Sequence, residues 1–121
     1  MALSRIAIFA AMALIFLSGA AIAASDETRF WNLTVDTIVK FQLSPAGKSQ
    51  WGEDQTANDK DHTVDPDERL KITNTPAGVY DAKFTDNKGR TCVVPNITIE
   101  AGKIFSIEET KLVGCTHWPA K

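Results

Sequence analysis

An all-β fold, an immunoglobulin-like antiparallel β-sandwich of about seven strands, follows from three features of this sequence. Apolar residues alternate with polar ones over short stretches, the period of two that a half-buried strand requires. Turn signals built from Pro, Gly, Asn and Asp separate those stretches at short intervals. No segment after the N-terminal apolar run has the 3.6-residue periodicity of an amphipathic helix. At 121 residues the chain allows one domain.

The first 23 residues stand apart from that fold. Arg5 provides a positive start, Ile6 to Leu17 is an unbroken run of 12 apolar residues, and Ser18-Gly19 ends it. Ala21-Ile22-Ala23 then sets small residues at the −3 and −1 positions of a cleavage site between Ala23 and Ala24. This is the pattern of a secretory signal peptide, with no integral membrane segment left after its removal. The domain then comprises residues 24–121, with 12 basic groups against 15 acidic and a net charge near −3. Such a balance excludes the basic stripe of a nucleic-acid binder. The expected location is the periplasm or the extracellular medium. Export means oxidising conditions, so Cys92 and Cys115, the only two cysteines, are expected to form a disulfide that closes a loop of 24 residues.

In order, Phe30 to Val35 is the first expected strand. Ile38 to Leu43 is the second, with Val39, Phe41 and Leu43 on one face and Lys40 and Gln42 on the other. Ser44 to Lys48 breaks it, and Ser49 to Thr63 reads as a long polar loop with Trp51 as its one large apolar residue. Asp65-Pro66-Asp67-Glu68 is a turn, because Pro suits the second position and Asp tolerates the third. Arg69 to Thr73 follows with Leu70 and Ile72 inward, then a turn at Pro76-Ala77-Gly78. Val79 to Thr85 places Tyr80, Ala82 and Phe84 inward, and Asp86-Asn87-Lys88-Gly89 signals a hairpin.

Thr91 to Val94 is a strand that Pro95 interrupts, which places it at an edge or a break. Asn96 to Glu100 and Lys103 to Glu108 are expected to pair around Ala101-Gly102, with Ile97 and Ile99 facing Phe105 and Ile107. Leu112 to Cys115 is a last short strand. The sequons Asn32-Leu33-Thr34 and Asn96-Ile97-Thr98 fall within strands and are read as chance. Asp81 is expected on an outward face, in a cross-strand pair with Lys or Arg.

Motifs for catalysis are missing: no Gly-x-Ser-x-Gly, His-Glu-x-x-His, Ser-x-x-Lys or phosphate-binding glycine loop occurs. His62 and His117 are the only bases that titrate near neutrality, and neither lies beside a nucleophile in sequence. The chain is therefore read as non-enzymatic, with a small hydrolase as the remotest alternative.

The strongest local anomaly is acidic. Residues 53–68 hold seven carboxylates against Lys60 alone, a net −6 over 16 residues. Trp51, Asp54, Asp59 and Asp61 form the candidate contact surface, an aromatic anchor in an acidic rim that favours a basic protein or cell-envelope partner. The alternative is a calcium-dependent binding or structural module using some of Asp54, Asp59, Asp61 and Asp65. Asp59-Lys60-Asp61 lacks the Gly and terminal Glu of an EF-hand loop, so no cofactor is assigned and calcium stands as the alternative only.

Taken together, Asn32-x-Thr34, Ser44-Pro45-x-Gly47, Trp51-Gly52-x-Asp54, Pro66-x-Glu68-Arg69-Leu70, Gly78-Val79-Tyr80-Asp81 and Asp86-x-x-Gly89-x-x-Cys92 occur in one order. That set resembles a family of small exported bacterial β-sandwich proteins of unknown function, some of whose members carry a stray argininosuccinate lyase label. Such a lyase is a large helical tetramer, so the label does not fit a short strand-rich chain. The resemblance spans residues 30 to 115 and implies export and a sandwich, with no catalytic residues to carry over. In one place the chain departs from the family pattern: Asp67 stands where the turn usually has Gly.

Overall fold

Seven strands and two short 3-10 turns make up the computed structural model, which describes residues 26–117. The expected leader and its cleavage site at Ala23 and Ala24 lie outside the described residues. Strands β1 (Arg29–Leu33), β3 (Arg69–Lys71) and β6 (Ile104–Glu108) form one sheet in the order β3-β1-β6. Strands β2 (Ile38–Pro45), β4 (Gly78–Asp86), β5 (Arg90–Ile99) and β7 (Thr116–His117) form the other in the order β2-β4-β5-β7. This is the all-β sandwich of about seven strands that the alternation predicts, antiparallel except for the parallel pair β1–β6. Among the described residues no helix is long and apolar enough to cross a membrane.

The core lies between the sheets. Phe30, Phe41 and Phe84 are fully buried with Ile38, Leu70, Ile99 and Val64. Phe30 of one sheet stacks on Phe41 of the other at 4.3 Å between centroids, and Phe105 leans on Phe30 at 5.6 Å. Offset aromatic pairs at such spacings add to the burial they provide. Leu70, Ile72, Ala82 and Phe84 all point inward, as the period of two requires.

The Asp86–Gly89 hairpin joins β4 to β5. Gly89 at φ 80° supplies the left-handed residue that a three-residue hairpin loop needs, and its N–H donates to the Asp86 carbonyl at 3.1 Å. The Asp65–Glu68 turn is also present, closed by a 3.0 Å bond from the Glu68 N–H to the Asp65 carbonyl. Asp67 takes φ 70°, the conformation for which Gly is usual at this position of a type II turn. Two contacts hold it there: its N–H donates to the Asn32 carbonyl at 2.7 Å, and its Oδ1 accepts from Trp31 Nε1 at 2.9 Å.

Several details differ from the expected elements. Val39 does not share the face of Phe41 and Leu43; it is 38% exposed, because a bulge between Ile38 and Lys40 shifts the register. Thr91–Val94 and Asn96–Glu100 are one strand, β5. Pro95 and Asn96 together oppose Asp81, where the β4–β5 register shifts, and Asn96 has φ 56°. Among the described residues β5 is an edge beyond its two pairs with β7 at Arg90 and Thr91, and Pro95 lies on that stretch.

The expected hairpin of Asn96–Glu100 with Lys103–Glu108 does not form. At Ala101-Gly102 the chain crosses to the other sheet, where β6 runs parallel to β1, Phe105 beside Phe30. Inward alternation alone is the same for either partner. Leu112–Cys115 is likewise not a strand; the last one is Thr116–His117, set against Arg90 and Thr91.

Cys92 and Cys115 are bonded, and Cys92 is fully buried on β5. The bridge pins the segment after β6 to the edge of the opposite sheet. Reduction, or a double Cys→Ala variant, is expected to lower stability by about 3 kcal/mol, from the loop it closes. Urea melts of the oxidised and reduced protein measure the difference; coincident midpoints would contradict it.

Candidate binding surface

The Ser49–Thr63 loop is folded down along the edge of β2 by its own side chains. Asp54 is central to this: its Oδ1 accepts from the Phe41 N–H at 3.0 Å, the Thr56 N–H at 3.1 Å and the Thr56 hydroxyl at 2.8 Å. It thereby caps the 3-10 turn Gln55–Asn58. Buried Gln55 ties that turn to Thr73, two residues beyond β3: Nε2 donates to the Thr73 carbonyl, while Oε1 accepts the Thr73 N–H, each at 3.0 Å. Gly52 N–H donates to the Leu43 carbonyl at 2.9 Å. Further on, Ile38 and Val64 exchange both backbone bonds in an isolated bridge.

Three of the four contact residues expected from the sequence thus have internal partners. Asp54 is an anchor of the loop, and Trp51 is half-buried with the Lys83 ammonium 4.6 Å above its ring. Asp59 is half-buried and accepts the Asp61 N–H at 2.9 Å, which shapes the tip of the loop. Asp61 is exposed, as are Glu53, Lys60, Asp65 and Asp67. Glu53 accepts from Asn74 Nδ2 at 2.9 Å, and Asp65 from the Thr37 hydroxyl at 2.9 Å.

Asp59 approaches Glu68, a contact not legible in the sequence. Burial pushes the Glu68 carboxyl above the usual range, the Asp65 N–H that it accepts draws it down, and neighbouring Asp59 and Asp65 push it up again. The folded state therefore holds this proton more firmly than the unfolded chain does. Stability tied to Glu68 falls as pH rises from the ordinary value of 4.5 through the raised one. Glu68→Gln keeps an oxygen for the Asp65 N–H and removes the charge. It is expected to melt at or above the wild-type temperature at neutral pH, with a flatter profile across the carboxylate range. A lower neutral-pH midpoint would show that the ionised carboxylate stabilises the fold.

The calcium candidates are not gathered into one site. Asp54 faces β2, Asp65 faces Thr37, and only Asp59 and Asp61 adjoin. Among the described residues, no group of three His, Cys, Asp or Glu side chains is placed to hold a metal ion. Melts in EDTA and in millimolar calcium are accordingly expected to superimpose. A ligand at about a hundredfold excess over its dissociation constant would add about 2.7 kcal/mol, so a rise with calcium and none with magnesium would carry the calcium alternative.

His62 and His117 are both exposed, His62 in a turn at φ 58° and His117 on β7. Among the described residues neither imidazole is hydrogen-bonded to a side chain that could act with it. Beside the loop, a cleft of about 340 Å³ opens between Gln50, Glu53 and Gln55 on one wall and Asn74 and Tyr80 on the other.

Some outward residues have roles other than those expected. Among the described residues Asp81 makes no cross-strand ion pair. Its two carboxylate oxygens accept the Gly47 and Asn96 N–H groups at 2.9 and 3.0 Å, and so hold a loop and the β5 bulge together. Asn32 is fully buried: Nδ2 donates to the Val64 and Asp36 carbonyls, and Oδ1 accepts from the N–H and hydroxyl of Thr34. The Asn32-x-Thr34 pair is a structural motif, closed to modification in the folded chain.

The chain matches no family model, no curated protein and no solved structure. The fold and the surface are what define its class: a small disulfide-bonded β-sandwich with a pinned acidic loop.

Proposed function

We propose that this protein is an exported, non-enzymatic binding module, acting in the periplasm or outside the cell, whose partner is a basic protein surface or cell-envelope component. It would belong with the small exported sandwich proteins that its motif order resembles. The observation that supports this reading is the division of labour in the acidic loop. Asp54 and Gln55 hold the backbone in place, while Glu53, Asp61, Asp65 and Asp67 keep their charges at the surface. A fixed rim of one sign favours encounter with the opposite sign and loses little entropy on binding.

The test is affinity capture from a cell-envelope fraction at low and high salt, with an Asp61→Asn, Glu53→Gln variant alongside. A partner retained by the wild type at low salt, and lost both with salt and in the variant, carries the reading. Equal recovery by the two proteins would sink it.

A further inference from the structure

Open sheet edges invite pairing with another chain, and folded proteins generally block them. Three of the main edges here are visibly blocked. The 49–64 loop covers β2, through the Ile38–Val64 bridge and the bonds of Leu43 and Phe41 to Gly52 and Asp54. β3 is three residues long, flanked by Arg69 and Lys71, and the Lys71 carbonyl accepts from Asn58 Nδ2. β5 carries a proline and a bulge.

Among the described residues the free edge of β6 has no covering loop, proline or bulge. Arg29 N–H donates to the Lys103 carbonyl, so the odd-numbered residues of β6 turn their backbone groups to β1. Those of Ile104, Ser106 and Glu108 therefore point away from the sheet. Among the described residues no other strand pairs with them, and Ile104 is 52% exposed on the outer face.

Charge is distributed along this edge in a self-complementary way. Lys103 lies at its start, with Arg29, which is also near Glu27, beside Ile104 on the neighbouring strand, and Glu108 lies at its end; Glu109 is turned to Arg90. Parallel pairing of two such edges would set like charges together. Antiparallel pairing about a two-fold axis at Ser106 sets each basic end against the other copy's acidic end. The same register places Ile104 opposite the other copy's Glu108, so the outward N–H and C=O groups meet their complements, and it keeps Phe105 and Ile107 on the inner face.

We infer that β6 is a homodimerisation edge: a second copy of this chain adds antiparallel to it and continues the three-stranded sheet across the axis. Such an isologous contact closes on itself and leaves no further edge for growth. It is independent of the acidic-loop reading, because that loop lies along β2.

The experiment is sedimentation of the exported, disulfide-bonded protein from about 1 µM to about 1 mM, compared with Ile104→Lys, Ser106→Pro and Lys103→Glu. Ser106→Pro removes an outward N–H at the axis and no bond to β1. Concentration-dependent dimer in the wild type, weakened at least about tenfold in the variants with their melting temperatures retained, is the expected result. A wild-type monomer throughout overturns the proposal, and so does a dimer that Ile104→Lys and Lys103→Glu leave intact. Should Ser106→Pro fail to fold, those two exposed substitutions still decide the matter.

Discussion

Replacing Asp86 with alanine is expected to cost about 3–5 kcal/mol, the range for removing one partner of a buried ion pair. The Asp86 carboxylate is completely buried at the end of β4. Its Oδ1 accepts the Lys88 and Arg90 N–H groups at 3.0 and 3.1 Å, and its Oδ2 accepts Arg90 Nε at 2.8 Å. The Arg90 side chain is only 14% exposed and continues to Glu109, whose Oε2 accepts from Nη1 at 3.0 Å. Its Nη2 lies 2.9 Å from Glu109 Oε1, an ion-pair distance without hydrogen-bond alignment.

Loss of the carboxylate leaves two backbone donors without their partner and removes one of the three carboxylates, with Glu109 and Asp36, that face the guanidinium. The hairpin loop and the β6–β7 connection should loosen together, since Arg90 joins them. Against a total stability of about 5–15 kcal/mol, the variant should be partly unfolded on warming. Asp86→Asn, which retains an acceptor for the backbone donors, should lose less. Urea unfolding followed by circular dichroism measures both. A cost under about 1 kcal/mol for Asp86→Ala would mean that Glu109 and Asp36 together balance Arg90.

Phe30→Ala should be comparably damaging, at about 3–5 kcal/mol. Phe30 is fully buried and is the ring at which the two sheets meet, stacked on Phe41 and touching Phe105. Truncation removes apolar surface and leaves a cavity between sheets that the strand ladders hold apart, so relaxation can fill it only in part. Phe30→Leu retains most of the volume and should lose clearly less. The readout is the change in unfolding free energy at constant urea dependence, which separates a core defect from a change in the unfolded chain. Equal losses for Leu and Ala would show that stacking, rather than filled volume, governs the site.

The acidic loop divides along similar lines. Its composition marks it plainly in the sequence, and its position along β2 in the structure gives that composition a shape. Trp51 and Asp54 look like contact residues when read along the chain, because Lys83 and Phe41 are distant in sequence. Their partners are Lys83, Phe41 and Thr56, and two of these come from strands. The Asp59–Glu68 approach is equally distant in sequence, and so is the burial that raises the Glu68 carboxyl.

Local chemistry settles what depends on neighbours in the chain. The alternation of Tyr80, Ala82 and Phe84, the Asp86–Gly89 hairpin, the Pro66 turn and the pairing of the only two cysteines were all legible, because each rests on backbone geometry or on a forced choice. The parallel placement of β6 beside β1 was not. Its apolar face would be buried equally well in either sheet, and only the crossover at Ala101-Gly102 selects between them. The bulges at Val39 and at Pro95-Asn96, the buried role of Asn32, the loop-holding role of Asp81 and, among the described residues, the unpaired edge of β6 belong to the tertiary structure as well. Each depends on which backbone groups remain unpaired after the two sheets close, and that number is known only once every strand has its neighbour.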